Sequence, residues 1–165
     1  MSNVGRHRTM AEAPLVTKSF AAFSREAKTQ PSITLRGGND LDDYKQPSAF
    51  DPDLDAISDG YLEQYAWGVG YLDAESWRHY LPSLIDHSVR HISTGSNAVD
   101  ALLNSLRPPD REPSRLASVS RAQESVIIEL LGFLAFSPES VHQELACQAL
   151  EEWWALGALY RTSAQ

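Results

Sequence analysis

The run Leu72-Asp-Ala-Glu-Ser-Trp-Arg-His-Tyr-Leu-Pro-Ser-Leu-Ile-Asp-His-Ser-Val-Arg-His91 limits the fold more than any other part of the chain. Trp77, Leu81, Leu84, Ile85 and Val89 recur every three or four residues, which places one apolar stripe along a helix. Asp73 is a good N-cap, and Glu75 puts a negative charge in the first turn, where the helix dipole favours it. Pro82 has no N–H to offer the carbonyl of Arg78 and its ring crowds that carbonyl, so a kink or short break is expected there. A helix carrying Trp77 and Tyr80 ahead of the proline is a suitable centre for a small all-helical core.

Other helices follow from the same period. Val16, Phe20, Phe23 and Ala27 mark one over 15–28, which Gln30-Pro31 ends. Residues 31–50 lack helical period, and Gly37-Gly38 reads as a turn. Asp51-Pro52 looks like a helix start, followed by Leu54, Ile57, Tyr61, Leu62 and Tyr65, weakened at Gly60 and ended at Gly68 and Gly70. Asn97 is placed to cap a helix bearing Val99, Leu102, Leu103 and Leu106, before an irregular proline-rich stretch over 107–119. Ser120 and Gln123 form a capping-box pattern ahead of the most apolar helix in the chain. Ser137-Pro138-Glu139 opens a last one, with Val141, Leu145, Ala149, Trp153, Leu156 and Tyr160 on one side. The expected fold is all-α, a compact orthogonal bundle of five or six helices over residues 51–162. An N-terminal arm, 1–50, carries one short helix (15–28) and an irregular acidic linker, and the sequence leaves open whether that helix docks on the core.

Two runs carry a resemblance. Tyr71-Leu-Asp-Ala-Glu-Ser-Trp-Arg-His-Tyr-Leu-Pro82 and Arg115-Leu-Ala-Ser-Val-Ser-Arg-Ala-Gln123 are similar to the signatures of an uncharacterised bacterial family, a domain of unknown function. The similarity spans about 60–136 and leaves the first fifty residues unmatched. It implies a helical domain and brings no chemistry with it.

Charge is the other guide. The 165 residues hold 14 Lys+Arg against 22 Asp+Glu, a formal net charge of −8, which disfavours nucleic acid and anionic membranes as partners. The excess is local: residues 39–64 contain Asp40, Asp42, Asp43, Asp51, Asp53, Asp55, Asp59 and Glu63 against Lys45 alone. A single cysteine, Cys147, precludes an internal disulfide, and no run of signal-peptide or membrane-span length is visible. A cytoplasmic protein is expected.

Motifs for chemistry are incomplete. Asp51, Asp53 and Asp55 match the first acids of a calcium loop, but Ala56 and Leu62 stand where it needs its glycine and its bidentate glutamate. His87 and His91 share a helix face, yet Ser88 stands where a zinc protease has its glutamate, so a solvated helix end is the default reading. Gly68-Val-Gly70 is half a dinucleotide fingerprint and follows no strand. No catalytic residue, metal ligand or cofactor is assigned. The expected function is protein binding: Asp51, Asp53, Asp55, Asp59 and Glu63 on one helix, with Tyr65 and Trp67 at its end, would dock a partner with a basic contact surface. An immunity protein that neutralises a bacterial toxin is the concrete form. The alternative is a metal- or substrate-using enzyme with its site near His87/His91 or the Pro82 kink.

Overall fold

A computed structural model describes residues 12–161, whose regular elements are all helices, with no strand among them. The apolar stripe of the organising run becomes α5 (Ala74–Arg90), capped by the Asp73 carboxylate, which accepts from Ser76 N–H at 2.7 Å. Trp77, Leu81, Leu84, Ile85 and Val89 are all buried. The helix continues through Pro82, with no break between Arg78 and Pro82. Pro82 is itself buried in the core.

α1 (Glu12–Ala22) packs on α5 and on α7 (Arg121–Phe136), and the single helix expected over 15–28 is divided at Phe23, after which α2 (Ser24–Lys28) also lies on α5. Leu15, Val16, Phe23 and Leu35 belong to the same core as α5, so the expected arm, from Glu12 onward, is part of the bundle. Residues 1–11 of that arm lie outside the described residues.

The largest departure is α3 (Leu35–Asp42), where the sequence suggests a turn. Two glycines make a poor helix in isolation, and tertiary partners supply what propensity lacks. Three orphan N–H groups of its first turn are met: Leu35 and Arg36 donate to the Tyr80 and Tyr61 hydroxyls, and Gly37 donates to the Thr34 side chain. Gly38 N–H then makes the first bond of the helix itself, to the Thr34 carbonyl. The glycines admit a close backbone crossing with the 3-10 helix Ala66–Tyr71. A β-carbon on Gly38 would overlap the Gly68 carbonyl, and one on Gly68 would overlap that of Leu35.

α4 is Asp59–Gln64, not a helix from Asp51; Ser58 caps it, accepting from Tyr61 N–H at 3.1 Å. Upstream, the Asp51 carboxylate takes the N–H groups of Asp53 and Leu54 and holds a turn that leaves Leu54 and Ile57 exposed. α6 (Asn97–Ser105) is capped by Ser96, one residue before the expected Asn97. The capping box on α7 forms as read, and its Val126, Ile127, Leu130 and Leu131 are core.

The final helix is much shorter than its pattern. α8 (Gln143–Ala149) passes into a π-helical turn, Leu150–Trp154. The wider turn shifts the inward face by a residue. Trp154 is therefore buried and donates Nε1–H to the Leu106 carbonyl at 2.7 Å, whereas Val141, Leu156 and Tyr160, expected to face the core, are exposed.

Candidate functional site

Three regions hold the charge of this molecule. The first contains most of the acids singled out in the sequence. Asp55 is 5 % exposed and receives Arg36 in a two-bond fork (3.2 and 2.9 Å), together with the Tyr61 hydroxyl (2.8 Å) and the Asp51 N–H (2.8 Å). Burial disfavours its ionisation, but these bonds outweigh it, and its pKa is lowered. Asp59 is held by both arms of Arg90 at 2.7 and 2.6 Å and faces His87 and His91. Chiefly because of Arg90, its carboxyl lies well below the usual range. Glu63 accepts from Ser96 and from Asn97 N–H (3.1 Å) and lies 2.8 Å from His87 Nε2. Burial opposes this carboxylate too, yet the bonds from Ser96 and His87 bring its pKa down.

His87 is 1 % exposed, which corrects its expected place at a solvated helix end. Its two ring nitrogens each face a carboxylate, so both hydrogen bonds are complete when both nitrogens carry protons. Asp59, His87 and His91 offer ligand atoms within 4.8 Å of one another, a spacing a cation can use. The Arg90 guanidinium already spans both Asp59 oxygens, so a cation bound there has to displace it.

The second region faces outward. Behind α3 the chain turns through Tyr44, whose φ of +60° lies in the left-handed region and whose ring is 100 % exposed. Asp42 and Asp43 precede it, both exposed, and Asp42 accepts the Tyr71 hydroxyl at 2.9 Å. That bond chiefly raises the Tyr71 pKa; Tyr44 adds to the rise and Arg111 opposes it, which places all four in one neighbourhood. Of the docking residues read from the sequence, Asp53 and Trp67 are exposed, Asp51 and Tyr65 are half-buried, and Asp55, Asp59 and Glu63 are engaged as above. They do not share one helix face.

The third region is the loop between α6 and α7, which sequence reading left without a role. Its signal was present as Arg107, Arg111 and Arg115, four residues apart in a chain short of cations. The Asp110 carboxylate shapes the loop by accepting N–H groups from Arg111, Arg115, Leu116 and Ala117, at 2.8 to 2.9 Å. Arg115 is 6 % exposed; Nη1 donates to the Val69 and Leu72 carbonyls (both 3.2 Å), and the guanidinium lies 5.5 Å from the Trp77 ring centroid. Burial, with Arg111 nearby, holds its pKa down to about 10.

Fold and charge together define a small all-α domain with an internally neutralised acid cluster and two outward-facing polar regions. The chain belongs to DUF6714, a family of unknown function whose model matches residues 12–157. The match extends the resemblance from the central helices to nearly all of the bundle, α1 to α3 included. Searches of curated proteins and of solved structures found no match. No helix among the described residues is long and apolar enough to cross a membrane.

Proposed function

We propose that this chain is a non-enzymatic protein-binding domain that docks a basic partner surface on the face formed by Asp42, Asp43, Tyr44 and Tyr71. Tyr44 carries the proposal. A non-glycine residue in the left-handed region costs about 1–2 kcal/mol, and a fully exposed ring recovers none of it through packing. A tyrosine held in this way contributes little to its own fold and is well suited to a contact outside it. Tyrosines beside carboxylates are also the composition of an interface centre that favours cations. The concrete form remains an immunity protein that covers the active surface of a bacterial toxin, since such blocking needs a complementary face and no chemistry of its own.

The test is binding kinetics with a partner captured from the native host, across a salt series. Carboxylates on the face steer encounter, so association slows steeply with salt, whereas Tyr44→Gly acts on dissociation. A partner that binds Tyr44→Gly and Asp42→Lys at wild-type rates overturns the assignment.

The ligand-atom spacing of Asp59, His87 and His91 favours a second reading, a metal-using site on the α4–α5 side. Zinc titration of the wild type and of His91→Ala separates it from the first. Under the docking reading neither protein binds zinc tightly, and the partner kinetics of His91→Ala are unchanged.

A further inference from the structure

A cleft of about 320 Å³ opens between the α6–α7 loop and the 3-10 helix Ala66–Tyr71. Its volume is at the lower end of the range for small-molecule sites. Its cations are unevenly matched. Arg107 is neutralised by Glu152 through two bonds, at 3.2 and 2.7 Å. Arg111 and Arg115 form no ion pair with a carboxylate among the described residues, and Asp110 acts on the Arg115 guanidinium only through space, although the chain carries a net charge of −8. Asp110, the acid that lines the cleft beside them, already takes four backbone N–H groups.

Arg115 is held for reception rather than for a local ion pair. Nη1 is tied to two carbonyls, and the Trp77 ring lies beneath the guanidinium. Trp77 is fixed in turn, donating Nε1–H to Ser105 Oγ at 3.0 Å. This leaves Nε and Nη2 without a described protein acceptor, on a side chain that lines the cleft. Two adjacent guanidinium groups repel each other, and burial aggravates the cost. A bound anion relieves both. The planar fork of Arg suits phosphate and carboxylate, which it can meet with two parallel bonds. Trp67, 52 % exposed, also lines the cleft and offers an aromatic ring to a flat partner, and Asn104 adds an amide to the wall.

We propose that this cleft binds a small organic oxyanion, its phosphate or carboxylate group received by Arg111 and Arg115 and its planar body lying against Trp67. The docking residues Asp42, Asp43, Tyr44 and Tyr71 do not line the cleft, although Arg111 lies near Tyr71.

The experiment is calorimetric titration of the full chain with phenyl phosphate, benzoate and inorganic phosphate. Saturable one-to-one binding of phenyl phosphate is expected. Arg111→Gln should weaken it by about tenfold or more, the effect of losing one charge-assisted hydrogen bond. Arg121→Gln, at the exposed start of α7 and outside the cleft, should leave it unchanged. Trp67→Ala should weaken phenyl phosphate and benzoate while leaving inorganic phosphate as it was. Arg115→Gln risks unfolding, so Arg111→Gln, exposed at the cleft mouth, carries the test. Absence of saturable binding by any probe up to its solubility limit overturns the site. Equal loss in Arg111→Gln and Arg121→Gln reduces it to general charge attraction and likewise overturns it. If inorganic phosphate binds as tightly as phenyl phosphate and Trp67→Ala changes neither, the planar-body half of the proposal is overturned.

Discussion

The acids between Asp51 and Glu63 and the arginines between Arg107 and Arg115 are both clusters of one charge within a short stretch of chain, and the fold treats them in opposite ways. Asp55, Asp59 and Glu63 are each drawn to partners far along the chain: Arg36, Arg90, His87 and Ser96. Arg111 and Arg115 donate to backbone carbonyls, Arg115 also lies against an aromatic face, and neither forms an ion pair among the described residues. The contrast shows that a charged run in sequence does not distinguish structural charge from charge available to a ligand. Matched charge holds elements together, whereas unmatched charge in a cleft is left for something else.

Substitution at two acids only two residues apart should give the widest separation. Asp55→Ala leaves Arg36 without its carboxylate and removes the acceptor of the Tyr61 hydroxyl, a loss of about 3–5 kcal/mol in chemical denaturation. Asp53→Lys, on an exposed turn, should stay within about 0.5 kcal/mol of wild type. If the two variants melt alike, the acids are not divided as described.

The arginine side can be broken through its scaffold. Gly68→Ala forces a methyl group into the Leu35 carbonyl and pushes α3 away from the 3-10 helix whose carbonyls hold Arg115. Overpacking of this kind should cost about 3 kcal/mol. Gly70→Ala, with open space around it, should be nearly silent.

Acid titration sharpens the comparison further. Asp55, Asp59 and Glu63 have pKa values lowered by folding, so their contribution to stability is complete above the ordinary values of 3.8 for Asp and 4.5 for Glu. It is lost as pH falls below those values and through the lowered folded ones, because the unfolded chain takes up protons first. Asp59→Asn should flatten this acid limb in melts recorded between pH 5 and about pH 2.

The smallest expected effect concerns Tyr44. Replacing it by glycine removes left-handed strain, offset in part by the greater freedom of the unfolded chain. Stability should be unchanged or rise by up to about 1 kcal/mol. A clear fall in melting temperature would show that the ring supports the fold after all.

What could be read in advance was local. The α5 stripe, its Asp73 cap and the Ser120–Gln123 box depend on residues within one or two turns, and sequence displays them directly. α3 could not be read because its first turn is completed by Tyr61 and Tyr80, which lie 25 and 45 residues from their donors. The pairing of the acids could not be read for the same reason: Arg36 and Arg90 approach from before and after them. At the C-terminus a single π-turn changed which tryptophan points inward, and a regular helical period contains no sign of that. Arg111 and Arg115 were visible as residues, but that the acids beside them form no ion pair with them is a property of three dimensions.

One junction ties parts of the acid cluster into a common fate. The Ser96 hydroxyl accepts from Val99 N–H at the start of α6 and donates to Glu63 on α4, while Glu63 also takes Asn97 N–H. The free end of α6 is thus satisfied by a side chain from another helix, and neither can fray without exposing the other. In deuterium exchange, the amides of Asn97 and Val99 and those of α4 should then appear as one cooperative opening unit with a shared free energy. Two short helices, separated by the whole of α5 in the chain, would keep time together because one serine and one glutamate are each bonded to both.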